Sequence, residues 1–291
     1  MNGRGFPEDE YGLRVMSLNL QVHWDNPPHT WPERRPAVGE LLRGARPHLL
    51  GTQEGLRHQV RDVEAALGSS TADYDWVGEG RDGGDDGEFM ALFYDRRRLA
   101  ALAHGHFWLS GTPDVPGSNT WGGGCPRMVT WARFRDLVTG TEFCAANTHF
   151  DHASADARER SAELLAERLN ALVPDVPRIV TGDFNSPAGP GSSPYTRLLA
   201  AADLVDAWDT AEERGPDLGT FHDYRPPVPG GERIDWILVS RGVRVRSAHA
   251  YTFAPGGRFP SDHLPIHAVV HTAPSESSSS PSRPSSEDPT P

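Results

Sequence analysis

The sequence contains no lysine. All 28 of its cationic side chains, histidine aside, are arginine, set against 40 Asp and Glu for a formal charge of −12 over 291 residues. A chain without lysine cannot form a Schiff base with a carbonyl substrate or with pyridoxal phosphate, and it lacks the lysine of a P-loop or a protein kinase. Cysteine is almost as scarce. Cys125 and Cys144 are the only two, too few for a disulfide scaffold and without the paired spacing of a zinc site, so both are expected to be buried thiols. No apolar run approaches the ~18 residues of a membrane span, and the opening MNGRGFPEDEYG holds no apolar signal region. The excess of acid over arginine disfavours long polyanions, because neutralising phosphates supplies most non-specific affinity for nucleic acid. Together these absences lead us to expect a soluble, cytoplasmic protein with no membrane association and no obligate protein partner.

What is present suits a globular domain: 37% apolar residues before glycine is counted, with no repeat and no long Gly or Ser linker. The last stretch, PSESSSSPSRPSSEDPTP from Pro274, has no apolar periodicity to offset the entropy of ordering. The expected organisation is therefore a flexible N-terminus over 1–10, one domain over 11–272 and a disordered Ser/Pro-rich tail over 273–291. The tail carries a charge of −2, which leaves −10 on the chain before it. Strand-like runs include LRVMSLNL, FMALFYD, RMVTWARF, EFCAANTHF, RIVTGDFN, RIDWILV and HLPIHAVV. Hairpin links are expected at Asp95 to Arg98 and at Val138-Thr139-Gly140. Helices are predicted over Arg57 to Leu67 and over Ser154 to Leu172, the first with Val60, Val63 and Leu67 on its buried face, the second with Leu164, Leu165, Leu169 and Leu172; Ser154 is a plausible cap. Interspersed helices and hairpin strands predict an α/β (α+β) fold of stacked mixed sheets covered by helices rather than a doubly wound parallel sheet.

Polar residues that are unusual in buried strands fall at strand ends: Asn19 in SLNL, His149 in NTHF, Asp183 and Asn185 in TGDFN, and Asp235 in RIDW. Glu54 in GTQEG and Asp262-His263 in SDHLP join them. Period-two geometry would put Asp183 and Asn185 on one face, where a carboxylate and an amide could share a ligand. Carboxylate and amide donors without thiolate suit a hard ion, Mg²⁺ or Mn²⁺. Such an ion neutralises a phosphoryl oxygen, and a histidine oriented by a carboxylate can move a proton at neutral pH. The chemistry indicated is hydrolysis of a phosphoester.

In order and spacing, SLNL, GTQE, NTHFDH, GDFN, RIDWI and SDHLP resemble the endonuclease/exonuclease/phosphatase superfamily, the group of exonuclease III, deoxyribonuclease I, nocturnin and the deadenylases. The resemblance spans roughly Leu13 to Val270. GEFMALFYD, FWLSGTPDVPGSNTW and PRMVTWARF look like a bacterial subgroup most similar to the nocturnin and deadenylase branch. The resemblance implies a four-layer αββα sandwich of two mixed β-sheets flanked by helices. It implies that Glu54 is the principal metal ligand, with Asn19 and Asp262 beside it. It implies further that Asp183 and Asn185 hold the attacking water and a phosphate oxygen, that His149 hydrogen-bonds the scissile phosphate, and that Asp235 orients His263. The resemblance leaves open whether Asp183 or His263 is the base, and whether one or two ions act.

Around this set, Arg127 in GCPRM could offer a bidentate fork to phosphate, although a structural ion pair is about as good a reading. His152 is expected to contact substrate or support His149. The acidic loop RDGGDDGE, Arg81 to Glu88, has the start of a calcium loop but Gly84 and Phe93 stand where ligands are required; it is read as a mobile loop beside the site, where Arg81 or Glu88 could touch substrate or metal. The triplet Arg96 to Arg98 is expected to be a solvated turn. The net acidity favours a small soluble substrate such as a nucleotide, sugar phosphate or cofactor phosphate. The alternatives are a nuclease on RNA or DNA, whose arginines would have to gather along the cleft, and, less favoured, an inactive binding module.

Overall fold

The computed structural model describes residues 9, 11–24, 27–68 and 73–272. The Ser/Pro tail and nearly all of the N-terminal stretch lie outside the described residues. The chain runs β1 (Leu13–Asn19), α1 (Trp31–Ala45), β2 (Leu49–Gly55), α2 (Arg57–Leu67), β3 (Tyr74–Val77), β4 (Phe89–Asp95) and β5 (Leu99–Trp108). It continues through β6 (Met128–Asp136), β7 (Glu142–His149), α3 (Ala155–Leu172), β8 (Arg178–Asp183), α4 (Ser193–Ala201), β9 (Leu204–Asp206) and α5 (Ala207–Thr210). The short β10 (Glu213–Arg214), then β11 (Asp235–Ser240), β12 (Arg244–Ala250) and β13 (Ile266–His271) complete it.

These strands form two mixed sheets, ordered β10-β12-β13-β1-β2-β4-β3 and β5-β6-β7-β8-β11-β9. Three apolar clusters define four layers. Val15, Leu49, Phe134, Phe143, Ile179 and Ala268 fill the space between the sheets. Met16, Leu50 and Phe93 on the outer face of the first sheet meet Val38, Leu41 and Leu42 of α1 and Val60 and Val63 of α2. Val180, Phe184 and Trp236 on the outer face of the second meet Leu165 and Leu169 of α3 and Leu198 of α4. Burial on both faces explains why strands such as FMALFYD read as unbroken apolar runs rather than alternating ones. The two sheets are also tied by a polar bolt: Asn147 Nδ2 donates to the carbonyls of Thr52 and Ala91, and its Oδ1 accepts from Gln53 Nε2 and Thr181 Oγ1.

The two predicted helices are present, and Ser154 caps α3 by accepting from Ala157 N at 3.2 Å. The buried face of α3 is Ala162, Leu165, Ala166 and Leu169, while Leu172 is exposed, so the face is rotated from the leucine-only stripe. The Val138–Gly140 hairpin joins β6 to β7. The one expected at Asp95–Arg98 does not exist: β4 and β5 belong to different sheets, and the turn is a crossover. Arg98 is responsible. It is buried, with Nε and Nη2 on the two carboxylate oxygens of Asp136 at 2.7 and 2.8 Å, so only Arg96 and Arg97 of the triplet face solvent. Helix α1, not read from the sequence, opens on Thr30, whose N–H and hydroxyl both meet Glu33 Oε2, with Pro32 in its first turn where a missing N–H costs nothing. Among the described residues no helix is long and apolar enough to cross a membrane.

Candidate active site

Each sheet contains a parallel pair flanked by antiparallel strands, β13-β1-β2-β4 and β11-β8-β7-β6. The C-terminal ends of the parallel strands and the starts of their antiparallel neighbours therefore share one end of the sandwich. Because the sheets face each other, the end residues form cross-sheet rungs: His263 over Asp235, Asn19 over Asp183, Glu54 over His149, and Glu88 over Arg127. At about 4.8 Å per strand the row is roughly 14 Å long, the size of a small phosphate ester.

The first three rungs bring together most of the candidate residues. His263 Nδ1 lies 2.9 Å from Asp235 Oδ2, and its Nε2 faces Asp183 Oδ2 at 3.7 Å. Asn19 Nδ2 donates to Glu54 Oε1 and Asp183 Oδ2 at 2.9 and 3.0 Å, while its Oδ1 accepts from the backbone N–H of Gln21. Its nitrogen, not its oxygen, thus faces the carboxylates. Glu54 lies in a β-bulge with φ +62°, a conformation costly for a non-glycine residue; its Oε2 accepts from Val22 N at 2.9 Å, which helps to hold it there. Ligating atoms of Glu54, His149 and Asp183 lie within 4.8 Å of one another, as do those of Asp183, Asp235 and His263. Asp262 belongs to neither group: its carboxylate is held by Gln21 Nε2 at 2.9 Å and by the Ser261 hydroxyl.

Asp183 and Asn185 do converge, but not by strand alternation. β8 ends at Asp183, and Asn185 has φ +47°, a left-handed conformation that asparagine tolerates. The turn is closed by Asn185 N on Asp183 Oδ1 at 2.9 Å. Strand alternation instead sends the residues that follow the two aspartates, Phe184 and Trp236, to the helix side, where their rings stack 4.1 Å apart beneath the site. Asn185 Nδ2 donates to both Phe150 O and His149 Nε2. That leaves His149 its proton on Nδ1, which is buried without a hydrogen-bond partner among the described residues.

The electrostatics of this end are those of excess negative charge out of water. Burial, with the Asp235 carboxylate adding to it against the pull of His263, pushes the Asp183 carboxyl up to about 7. Burial also raises Asp262, with Glu54 adding to it. Burial alone would lower His263, but the carboxylates of Asp235, Asp183 and Asp262 outweigh it and push it up to about 10. His149 is held well below the ordinary histidine value by burial and by Arg127, so it is neutral. A divalent cation is the natural relief for so many desolvated oxygens, and the two carboxylate-histidine groups are of a kind that could hold one.

The fourth rung is different. Arg81 Nη1 meets Glu88 Oε2 at 2.6 Å and Cys125 Sγ at 3.3 Å, and Arg127 Nη2 meets His152 Nδ1 at 3.1 Å. Burial lifts the Glu88 carboxyl to about 7, with Arg81 opposing and Glu54 reinforcing. The acidic loop that carries Arg81 is a hairpin and not an open loop: Arg81 N bonds Glu88 O and Asp82 N bonds Asp86 O. Its acids hold no calcium-type cluster among the described residues.

Three positioning residues escaped the sequence reading. Gln21, with φ +52°, links Asp262 to the hydroxyl of Tyr224, which donates to its Oε1. Arg34, buried in α1, donates to the carbonyls of Leu20, Gln21 and Pro260 and so pins the two segments that carry Asn19 and Asp262. Only the proximity of Gln21 to SLNL could have signalled any of this.

A model of the Endonuclease/Exonuclease/phosphatase family matches residues 16–263. The solved structure of the endonuclease/exonuclease/phosphatase from Bacteroides vulgatus is 33% identical, with a TM-score of 0.83 over 90% of this chain and 99% of that one. A mannosyl-6-phosphatase of Bacteroides thetaiotaomicron is 32% identical, with a TM-score of 0.79 over 89% and 99% of the two chains. Protein angel of Drosophila melanogaster is 32% identical over 129 residues, but that match spans only 35% of its length. The chain belongs to the endonuclease/exonuclease/phosphatase family, whose members are phosphoester hydrolases.

Proposed function

We propose that this protein is a Mg²⁺- or Mn²⁺-dependent phosphatase of small soluble phosphate esters, with sugar phosphates first among them. The observation that carries the reading is the row of facing rungs, in which an Asp-His pair, a second buried aspartate and a metal-suited carboxylate set converge within a few ångströms. Glu54 would hold the ion, joined by Asn19 once its amide turned to present Oδ1 and by Asp262 once released from Gln21; bound there, the ion would supply positive charge to the scissile phosphate. Asp183, at the centre of the row and fixed by Asn19 and Asn185, would take the proton of the attacking water. His263, its Nδ1 tied to Asp235, would present Nε2–H to a phosphate oxygen. Asn185 would orient the water and His149 would donate to the phosphate.

Two observations favour a small ester over a nucleic acid. A mannosyl-6-phosphatase is among the similar solved structures. Moreover, many surface arginines are matched to acids, as in Arg133 and Arg135 with Glu142, Arg197 with Glu159 and Glu163, and Arg244 and Arg246 with Glu212. Arginines so engaged are poorly placed to follow a polyphosphate backbone. The test is release of inorganic phosphate or nucleotide, with Mg²⁺ or Mn²⁺ and with EDTA, across hexose 6-phosphates, mononucleotides, dinucleotides and short oligonucleotides. Metal-dependent turnover of the monoesters is expected; turnover of oligonucleotides alone would overturn the substrate assignment, and no turnover of any of them would overturn the activity.

A further inference from the structure

Arg127 lies immediately before β6, on the fourth rung, and only 6% of it is exposed. Its Nη2 lies 3.1 Å from His152 Nδ1. Nε and Nη1 are buried and have no hydrogen-bond partner among the described residues. The nearest acids are committed elsewhere. Asp151 Oδ2 stands 3.9 Å from Arg127 Nε, too far for a hydrogen bond, and accepts from Gly124 N at 2.8 Å. Its Oδ1 accepts from Ala153 N and Ser154 N. Glu88 is taken by Arg81 at 2.6 Å.

A guanidinium kept out of water with idle donors is costly unless an acceptor arrives from outside the chain. The structural ion pair that the sequence left open is present as the long Asp151 contact, and it leaves Nε and Nη1 without a hydrogen-bond acceptor. The direction is also informative. Arg127 is the leading charge acting on His149, one rung away, where the scissile phosphate would be held. The surroundings are tight: a Cβ on Gly123 would come within 2.8 Å of Asp151 Oδ2, and one on Gly124 within 2.9 Å of the His152 ring. Gly123 and Gly124 thus pack against the Asp151–His152 turn and wall this end of the row.

Resting on the phosphoesterase reading above, we propose that Arg127, backed by the charge of Arg81, is an anion subsite that grips non-bridging oxygens of a terminal phosphate and makes the site select monoesters over diesters. A monoester offers three non-bridging oxygens and a double negative charge, which suits a guanidinium with unused N–H donors on Nε and Nη1. A diester has one of those oxygens esterified, and a walled, nine-tenths-buried guanidinium offers the second ester group no path.

The experiment compares wild type, Arg127→Met and Arg127→Lys on p-nitrophenyl phosphate and bis(p-nitrophenyl) phosphate with Mn²⁺, and separately measures binding of inorganic phosphate by calorimetry. In Arg127→Met the ratio of monoester to diester kcat/KM should fall by at least about tenfold, and phosphate affinity by a similar factor. Arg127→Lys keeps the charge without the fork and should lie between; if the Met variant does not fold, the Lys variant decides alone. An unchanged ratio, or a wild type that does not bind phosphate, overturns the subsite. Phosphate binding that depends on Arg127 in a protein that turns over neither ester supports the subsite while overturning the phosphoesterase reading.

Discussion

Asp183 accepts from Asn19 and from the backbone of Asn185 and faces two histidines, so its carboxylate is placed by four neighbours at once. Glu54 is placed by a bulge that a peptide in isolation would avoid. Residues fixed in this way lose function when truncated without the core being touched. Glu54→Ala and His263→Ala are each expected to lower kcat by at least about a thousandfold, the scale of a lost acid-base or electrostatic group, while the near-ultraviolet dichroism of the stacked Phe184 and Trp236 stays intact; a folded variant with wild-type turnover would remove that residue from the mechanism. At this scale the sequence was most legible, because SLNL, GTQE, NTHF, GDFN, RIDW and SDHLP each place a polar residue where a strand ends. Gln21, Arg34 and Tyr224 were not legible. Each acts through a contact with a segment far away in the chain, and no local pattern records it.

Elements show the opposite balance. The strands were readable from their apolar runs, but Asp95–Arg98 looked like a hairpin because a short polar turn between two apolar runs has the same composition whether the chain folds back or crosses over. The buried Arg98–Asp136 pair, which links turn to second sheet, decides it. Helix α1 was hidden by Pro32 and Pro36, although only Pro36 lies beyond its first turn. Two features of the sheets can be tested directly. Replacing Asn147 by Leu strands the Thr52 and Ala91 carbonyls and the Gln53 amide between the sheets, and should cost about 2–4 kcal/mol in urea unfolding; a loss within ~0.5 kcal/mol, the usual range for a surface substitution, would mean that the bolt is dispensable. His48 is buried between α1 and β2, and its Nδ1 accepts the backbone N–H of Arg14 at 3.1 Å. Burial and the neighbouring Arg14 depress it to about 3. Because the unfolded chain binds that proton more readily, the stability it confers is present above about pH 6.5 and is lost progressively as pH falls towards 3. His48→Asn keeps an acceptor but does not titrate, so it should flatten the acid loss of stability between pH 6.5 and 4 by about 1–3 kcal/mol; an unchanged slope would show that His48 is not the sensor.

For the whole molecule, the charge of −12 acquires a location. Glu54, Asp183, Asp235 and Asp262 account for four of the negative charges and share one end of the sandwich, where a divalent ion would be required rather than a lysine. The layer order was legible only through the resemblance, since apolar runs do not say which strands face each other. That facing is what turns eight scattered residues into four rungs. A short row that ends at Arg127 should act on small esters with little dependence on bulk salt. Between 50 and 200 mM NaCl, kcat/KM on a hexose phosphate is expected to change by less than about threefold, whereas an enzyme that engages 6–10 backbone phosphates would lose roughly 10³ or more in affinity. A steep decline would favour the nuclease.

The most direct test removes and restores the ion. Protein treated with EDTA and then supplied with Mg²⁺ or Mn²⁺ is given mannose 6-phosphate, and inorganic phosphate is followed for wild type and Glu54→Ala side by side. The rungs lead us to expect release by the wild type only when the ion is restored, and none above background by Glu54→Ala. Equal release with and without the ion, or by both proteins, would contradict the assignment of this end of the sandwich as a metal-dependent phosphoesterase site.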